Sequence, residues 1–240
     1  VAPSALWELG AEVVAVGVTP NGTNINDGCG STSPMLCQET VVSSGADIGI
    51  ALDGDGDRVG IIDNSGATVW PDQLMMVFAK DILSRHAGAP VVYDVKCTSR
   101  LRTVIEAAGG TPVMDKTGHS YMRNKLKEMN APLAGELSGH VFFGERWYGF
   151  DDGMYAAARL LEILINRGIS PTELFAEVPV GVNTPELRAD VEERRHFAVM
   201  ELLMLTPDID GAKVFDIDGL RAEFPDGWGL VRASNTTPVI

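Results

Sequence analysis

Three aspartates alternate with glycines in the segment DGDGDR, residues 53–58. The carboxylates of Asp53, Asp55 and Asp57 can converge on one hard cation if the chain curls, and the intervening glycines allow that curl. A ligand set made only of oxygen atoms suits Mg²⁺ or Ca²⁺ better than zinc. A solvated acidic turn is the alternative interpretation. The segment follows a predicted buried strand, and this favours a metal site because ligands of α/β domains bind at strand ends.

A carboxylate, a hydroxyl and an imidazole stand close together in a second segment, GELSGH, residues 135–140. Glu136 and Ser138 are suited to hydrogen bonds with neighbouring hydroxyl groups of a sugar. His140 could move a proton near neutral pH. Taken alone, the segment is equally consistent with a turn that carries a capping residue.

A third polar segment, RASNTTP, spans residues 232–238. The Arg232 guanidinium, together with hydroxyl, amide and backbone donors, could surround a phosphate group. This signal is weak by itself, because Ser, Asn, Thr and Pro are ordinary loop residues. Lys96 and residues 116–120 add positively charged or titratable groups after predicted strands.

The composition limits the class of partner. Asp and Glu total 33 against 19 Lys and Arg in 240 residues, so the net charge is −14. This charge argues against nucleic-acid binding, which needs a basic face, but a few cations can still form a local pocket for an anionic substrate. No apolar run approaches the roughly 18 residues of a membrane span. Three cysteines without tight pairs indicate neither a disulfide framework nor a zinc site, and we expect a cytoplasmic protein.

Short apolar runs alternate with helical patterns, which predicts βαβ units and largely parallel sheets. The predicted strands are residues 11–16, 47–52, 59–63, 89–95 and 111–114. The predicted helices are residues 35–46, 71–85, 99–110, 119–129 and 152–168. Beyond Pro179 the pattern changes to a helix at 196–205, a hairpin turning at Asp218-Gly219 and a last strand at 227–234.

These elements predict two α/β domains with mixed, largely parallel sheets, followed by a small α+β domain. We place the boundaries at residues 1–67, 68–178 and 179–240. The first domain would carry the segment of alternating aspartates, the second GELSGH and the third RASNTTP.

The three segments occur in a fixed order, with DVKCTSRL, KTGHS and ERWYGFDDG between them. In this order they resemble the α-D-phosphohexomutase superfamily, and its bacterial phosphomannomutase/phosphoglucomutase branch in particular. The resemblance covers nearly the whole chain. It implies parts of the second, third and fourth domains of a four-domain fold. The family's first domain carries a phosphoserine in a Ser-His loop that no segment here resembles, so we expect the chain alone to be inactive.

The resemblance also implies a reaction and a set of roles. Phosphate would move between O1 and O6 of a hexose through the phosphoserine and a 1,6-bisphosphosugar. The implied Mg²⁺ ligands are Asp53, Asp55 and Asp57. Arg58 would support the transferring phosphate, and His140 would transfer a proton. The implied substrate contacts are Glu136 and Ser138 for the sugar hydroxyls, Arg232, Ser234, Asn235 and Thr236 for the phosphate, and Lys96 and His119 in the cleft.

Two alternatives to this activity remain open. NGTNIND and CGST near the start are more similar to the phosphoglucosamine mutase branch, which usually has Gln at the position of Leu137. The segments expected to touch substrate follow the phosphomannomutase/phosphoglucomutase pattern instead, so glucose and mannose phosphates are the expected substrates. The second alternative is a sugar-phosphate or metal-binding module without catalysis.

Overall fold

The computed structural model describes residues 1–184, 186–192, 195–205, 209–234 and 237–240. The helices within them are α1 Ala2–Glu8, α2 Met35–Ser44, α3 Pro71–Leu83, α4 Ser99–Ala107, α5 His119–Glu128, α6 Gly153–Arg167, α7 Pro171–Phe175 and α8 Arg195–Met204. The strands are β1 Gly49–Leu52, β2 Val59–Ile62, β3 Thr68–Val69, β4 Pro90–Asp94, β5 Thr111–Asp115, β6 Leu133–Gly135, β7 Val141–Phe143, β8 Lys213–Phe215, β9 Leu220–Glu223 and β10 Trp228–Val231.

The central sheet has the strand order β5-β4-β6-β7. β4 pairs in parallel with β5 and β6, whereas β6 and β7 are antiparallel. Because successive side chains of a strand point to opposite faces, both faces need cover. Val91 and Tyr93 of β4 belong to the main core with α3, α4 and α6, and Val92 packs with α5 in a second cluster. Helices thus cover both faces, as the α/β prediction requires.

The helix ends that capping residues, glycines and a proline predict are confirmed. The Asp152 side chain accepts a hydrogen bond of 2.9 Å from the Tyr155 amide and so caps α6. α6 ends at Gly168 and α2 at Gly45, and both glycines have the left-handed backbone that ends a helix. α3 begins at Pro71, whose fixed φ suits a first helical position. No helix in the described part of the chain is long and apolar enough to cross a membrane.

The sheet of the first domain differs from the parallel arrangement predicted for it. β1 and β2, together with β3 just beyond the predicted boundary at residue 67, form an antiparallel meander. Residues 53–58 and 63–67 connect these strands, and such short links permit a hairpin but not the crossover of about a dozen residues that parallel strands need. The position of residues 53–58 at a strand end is unchanged by this correction.

The predicted strand at residues 11–16 is wrong. This segment is irregular and pairs with no strand in the described residues. Val14 and Val16 are exposed despite their apolar character. Alternating valines favour an extended backbone, but a strand forms only when a neighbour satisfies its backbone hydrogen bonds.

The C-terminal domain is the predicted small α+β unit. β10, β9 and β8 form an antiparallel sheet in that order, and α8 packs against β9. The hairpin turns at Asp218-Gly219, where Gly219 has a φ of 85°. A Cβ atom there would lie 2.4 Å from the Val231 carbonyl oxygen, so this turn requires glycine.

The side chain of Arg221 fastens this C-terminal sheet to the central domain. Arg221 is 1% exposed and donates hydrogen bonds to the carbonyl oxygens of Val95 and Cys97, which follow β4. Its guanidinium carbon lies 4.0 Å from the centre of the Trp228 ring. The loop that follows β4 of the central sheet is therefore in direct contact with the C-terminal sheet.

Candidate active site

The carboxylates of residues 53–58, the metal loop, converge as predicted. One oxygen each from Asp53, Asp55 and Asp57 lies within 4.8 Å of the others. Gly56 has a φ of 80° and lets the backbone reverse between β1 and β2. Asp57 Oδ1 is buried and has no hydrogen-bond partner in the described residues, and Arg58 Nε lies 3.9 Å from it. An oxygen-only set with an unsatisfied buried oxygen fits Mg²⁺.

The charges of the metal loop are arranged by Arg58. Its Nε and its backbone amide both donate hydrogen bonds to the Asp53 carboxylate. Burial acts to raise the pKa of Asp53, but these two bonds outweigh it and bring the pKa below its usual range. The pKa of Asp57 is raised instead by burial and by the neighbouring carboxylates, against the opposing effect of His140. A bound cation would relieve this repulsion.

Residues 135–140, the sugar loop, form the tight turn between β6 and β7. The Glu136 carboxylate is 2% exposed and accepts hydrogen bonds from the backbone amide of Gly118 and, at 3.0 Å, from Ser138 Oγ. Burial raises the pKa of Glu136. The structure therefore brings Glu136 and Ser138 together, as predicted, and connects them to the loop that precedes α5.

The metal loop and the sugar loop touch along their backbones. Arg58 and His140 form an isolated antiparallel β-bridge, and the Val59 amide donates a hydrogen bond of 3.1 Å to the Gly139 carbonyl oxygen. Gly139 has a φ of 101°, and a Cβ atom there would lie 3.0 Å from the Val59 carbonyl oxygen. Two loops that are 77 or more positions apart in sequence thus form one surface.

His140 occupies the junction between these loops. Its Nδ1 lies 2.9 Å from Asp151 Oδ2 and 3.6 Å from Asp57 Oδ2. The ring of His119 stacks beside it with 5.9 Å between ring centres. An imidazole held by a carboxylate has a defined orientation and tautomer, and this arrangement suits proton transfer.

Sequence reasoning assigned no role to Asp151. The residue lies in ERWYGFDDG, a segment that carries the family resemblance but shows no spacing of its own that would point to His140. Asp57, His140 and Asp151 also form a second set of atoms within 4.8 Å of one another. A mixed nitrogen and oxygen set suits a transition metal better than Mg²⁺, so the three aspartates remain the better magnesium ligands.

Residues 232–238, the phosphate loop, follow β10. Arg232 Nη2 donates a hydrogen bond of 3.0 Å to Asp218 Oδ2, while its buried Nε has no hydrogen-bond partner in the described residues. The Ser234 hydroxyl accepts a hydrogen bond of 3.2 Å from the Thr237 amide. Asn235 and Thr236, also predicted to bind phosphate, lie outside the described residues. Arg232 therefore retains a donor that could serve a phosphate oxygen.

Lys96 follows β4, as predicted, and forms an ion pair of 3.0 Å with Glu186. The side chain of Lys96 is 28% exposed and that of Glu186 is 60% exposed. A partner that is so exposed holds Lys96 weakly, because water competes for both charges. Lys96 is thus available to an anionic ligand that displaces Glu186.

Two family descriptions match the chain. Residues 70–180 match "Phosphoglucomutase/phosphomannomutase, alpha/beta/alpha domain III", and residues 182–240 match "Phosphoglucomutase/phosphomannomutase, C-terminal domain". The first description agrees with the helices found on both faces of the central sheet.

Individual relatives agree with these matches. A phosphomannomutase/phosphoglucomutase from Pseudomonas putida is 47% identical over 243 residues, which cover 100% of this chain and 52% of that protein. The chain therefore spans about half the length of the curated relatives it matches.

Solved structures extend the comparison. A phosphoglucomutase/phosphomannomutase family protein from Burkholderia thailandensis has a TM-score of 0.91 and 45% identity, covering 99% of this chain and 51% of that one. N-acetylphosphoglucosamine mutase from Aspergillus fumigatus, solved with GlcNAc-6P and magnesium, shares the fold with a TM-score of 0.64 at 17% identity, covering 89% of this chain and 48% of that one. The predicted resemblance is confirmed: the chain belongs to the phosphoglucomutase/phosphomannomutase family of the α-D-phosphohexomutase superfamily.

Proposed function

We propose that the full-length protein is a phosphomannomutase/phosphoglucomutase, an isomerase that moves phosphate reversibly between O1 and O6 of a hexose phosphate. One observation carries the proposal. The metal loop and the sugar loop are joined through Arg58 and His140, and the phosphate loop is joined to the loop before α5 through Asp218. The Gly118 amide of the loop before α5 also donates a hydrogen bond to Glu136 of the sugar loop. The three loops are therefore linked to one another, and this supports a site for a hexose phosphate and a cation.

The proposed reaction has two transfers of a phosphoryl group. A phosphoserine gives its phosphoryl group to the free hydroxyl of the substrate, and a 1,6-bisphosphosugar forms. The 1,6-bisphosphosugar then reorients in the site, and its other phosphoryl group is transferred to the serine. No segment of residues 1–240 resembles the family's Ser-His loop, so the transfer is proposed for the full-length protein.

The metal loop would hold Mg²⁺ through Asp53, Asp55 and Asp57. When bound, the ion supplies positive charge that neutralises the charge developing on the transferring phosphoryl group. The chain's own residues prepare this site. Arg58 keeps the Asp53 carboxylate ionised by two hydrogen bonds, and its guanidinium lies beside the same loop to support the phosphate.

The proton of the attacking hydroxyl would pass to His140. Asp151 accepts a hydrogen bond from His140 Nδ1 when that nitrogen carries the proton. The lone pair of the neutral imidazole then lies on Nε2, which can accept a proton from the sugar hydroxyl. Asp151 also stabilises the imidazolium that results.

The remaining contacts would hold the sugar and its second phosphate. Glu136 and Ser138, already joined by a hydrogen bond, would bind O3 and O4. Glucose and mannose differ at C2, so a grip on O3 and O4 accepts both. The proposed phosphate and cleft contacts are Arg232, Ser234, Asn235, Thr236, Lys96 and His119.

The test is an assay of the full-length protein with Mg²⁺. We expect comparable specificity constants for conversion of glucose 1-phosphate and mannose 1-phosphate to their 6-phosphates. The Glu136→Gln variant should lose at least about tenfold in kcat/KM, since a charged hydrogen bond to the sugar is replaced by a neutral one. A far higher specificity constant for glucosamine 1-phosphate would favour a phosphoglucosamine mutase. Binding of all three sugars without turnover would favour a non-catalytic module.

A further inference from the structure

Asp94 is a fully buried carboxylate to which sequence reasoning assigned no role. It is the last residue of β4 and is 0% exposed. Asp94 Oδ1 accepts hydrogen bonds of 3.0 Å from Cys97 Sγ and 3.2 Å from the Leu137 amide. Asp94 Oδ2 accepts one of 3.0 Å from Thr117 Oγ1. One side chain therefore binds three different loops at the carboxyl end of the sheet.

Two of the three donors are next to residues of the candidate site, and the third is next to a residue that contacts one. Cys97 follows Lys96, and Leu137 lies between Glu136 and Ser138 in the sugar loop. Thr117 precedes Gly118, whose amide donates to the Glu136 carboxylate. The sugar loop is thus connected to the loop before α5 twice, once through Asp94 and once through Glu136.

Burial of a carboxylate in the core costs free energy. An ionised carboxylate loses its hydration on burial, and hydrogen bonds recover only part of that free energy. Burial raises the pKa of Asp94, and the hydrogen bonds from Cys97, Leu137 and Thr117 oppose this rise. The neighbouring carboxylates of Asp72 and Glu136 add repulsion. If only packing mattered, an apolar side chain would serve better at this position.

We propose that Asp94 is a positioning residue that holds the loops of Lys96, Thr117 and Leu137 in the geometry needed to bind a hexose phosphate. It acts through the backbone of the sugar loop and through Thr117 and touches no substrate itself. The proposal deepens the proposed function and rests on it for the identity of the ligand. Its structural half, the control of loop order, does not depend on that identity.

Suitable substitutions distinguish the positioning role of the Asp94 hydrogen bonds from an effect of the Asp94 charge. In Asp94→Asn, the amide oxygen can replace Oδ1 and keep the bonds from Cys97 and Leu137. The amide nitrogen can donate to Thr117 Oγ1, because a hydroxyl oxygen also accepts hydrogen bonds. Asp94→Ala removes all three bonds, and Thr117→Val removes one of them with little change in shape.

The first measurement is hydrogen exchange of backbone amides in this chain without ligand. We expect Asp94→Ala to speed exchange at Leu137 and Gly118 by at least about tenfold, the equivalent of one hydrogen bond to a charged group. Amides within α3 should be unaffected, and Asp94→Asn should resemble the original chain. Thr117→Val, which is suitable if the alanine variant does not fold, should speed exchange at Gly118 more than at Leu137. Unchanged exchange at both amides, or equal acceleration throughout α3, would overturn the proposal.

The second measurement is steady-state turnover of glucose 1-phosphate by the full-length protein. We expect Asp94→Ala to raise KM about tenfold or more, with a smaller fall in kcat, and Asp94→Asn to stay within about threefold of the original values. Asp63→Ala is the matched control. Asp63 is also a buried carboxylate that accepts three hydrogen bonds, but they come from the turn between β2 and β3.

The control variant should lose stability and keep its KM. An equal rise in KM in Asp63→Ala and Asp94→Ala would show that Asp94 acts only through stability, and would overturn the proposal. Absence of turnover in the original protein would refute the proposed function and would leave the exchange experiment as the test of Asp94.

Discussion

The backbone amide of Thr117 donates a hydrogen bond of 3.1 Å to Asp218 Oδ2, across 101 positions of sequence. The same oxygen accepts the bond from Arg232 Nη2. Thr117 belongs to the central domain and Arg232 to the C-terminal one. One carboxylate oxygen therefore fixes the distance between the phosphate loop and the loop before α5.

Replacement of Asp218 by Ala should loosen this connection. The Thr117 amide then loses its acceptor, and we expect its hydrogen exchange to accelerate by at least about tenfold. Asp216→Ala is the control, because Asp216 is an exposed residue of the same hairpin turn. Slow exchange at Thr117 in the Asp218 variant would show that another group holds the two domains together.

Addition of Mg²⁺ should stabilise the chain through the metal loop. At about 100 times its dissociation constant, a ligand that binds only the folded state adds roughly 2.7 kcal/mol to the free energy of unfolding. Asp55→Ala should abolish the effect of Mg²⁺ on the thermal midpoint, because one of three ligands is lost. Asp226→Ala removes an exposed carboxylate from the turn between β9 and β10 and should preserve the effect. Equal Mg²⁺ stabilisation of both variants would place the cation elsewhere.

The stability contributed by Asp63 should depend on pH. Burial acts to raise the pKa of Asp63, but hydrogen bonds from Ser65 and Ala67 outweigh it and lower the pKa below its ordinary value. A lowered folded-state pKa means that the stabilisation is complete above the unfolded pKa of about 3.9 and is lost as the pH falls through the folded pKa.

Urea titrations of the original chain and Asp63→Asn provide the measurement. At pH 6 to 7 we expect the variant to be less stable by about 2 kcal/mol. This difference should stay constant down to about pH 5 and shrink below about pH 4. A difference that grows on acidification would contradict the assigned direction of the pKa shift.

Arg221→Ala should destabilise the junction between the domains. The substitution leaves the carbonyl oxygens of Val95 and Cys97 without their buried donor. It also removes the hydrogen bond of 2.9 Å that Arg221 Nε donates to Glu223. We expect a loss of about 3 kcal/mol in the free energy of unfolding. Arg195→Ala, which removes an exposed ion pair with Glu192, should change it by less than about 0.5 kcal/mol. Comparable small losses in the two variants would contradict a structural role for Arg221.

Features set by local chemistry were predictable from the sequence. Asp152 and Gly168 mark the ends of α6 because a cap and a left-handed glycine act within one turn of helix. The convergence of Asp53, Asp55 and Asp57 is likewise local, since glycines separate them. The predicted strand at residues 11–16 failed because a strand also needs a partner, which no local pattern encodes.

The contacts of Asp94, Asp151 and Asp218 were not predictable from spacing. Thr117 lies 23 positions from Asp94 and 101 from Asp218. A carboxylate at the end of a strand or in a hairpin looks like any solvated turn residue until the sheets are assembled. Only the assembled fold shows which of these aspartates is buried and which donor it meets.

The β-bridge between Arg58 and His140 has a consequence for motion. Backbone hydrogen bonds connect the metal loop to the sugar loop, so we expect the two loops to move together as one rigid unit. In the part of the chain that the structure describes, side chains connect the C-terminal sheet to the central domain, among them Arg221, Asp218 and the ion pair between Arg102 and Glu223. A slow motion of the C-terminal domain relative to the central domain would therefore move the phosphate loop away from the metal loop and the sugar loop. The groups proposed to bind a phosphate would move together in that motion.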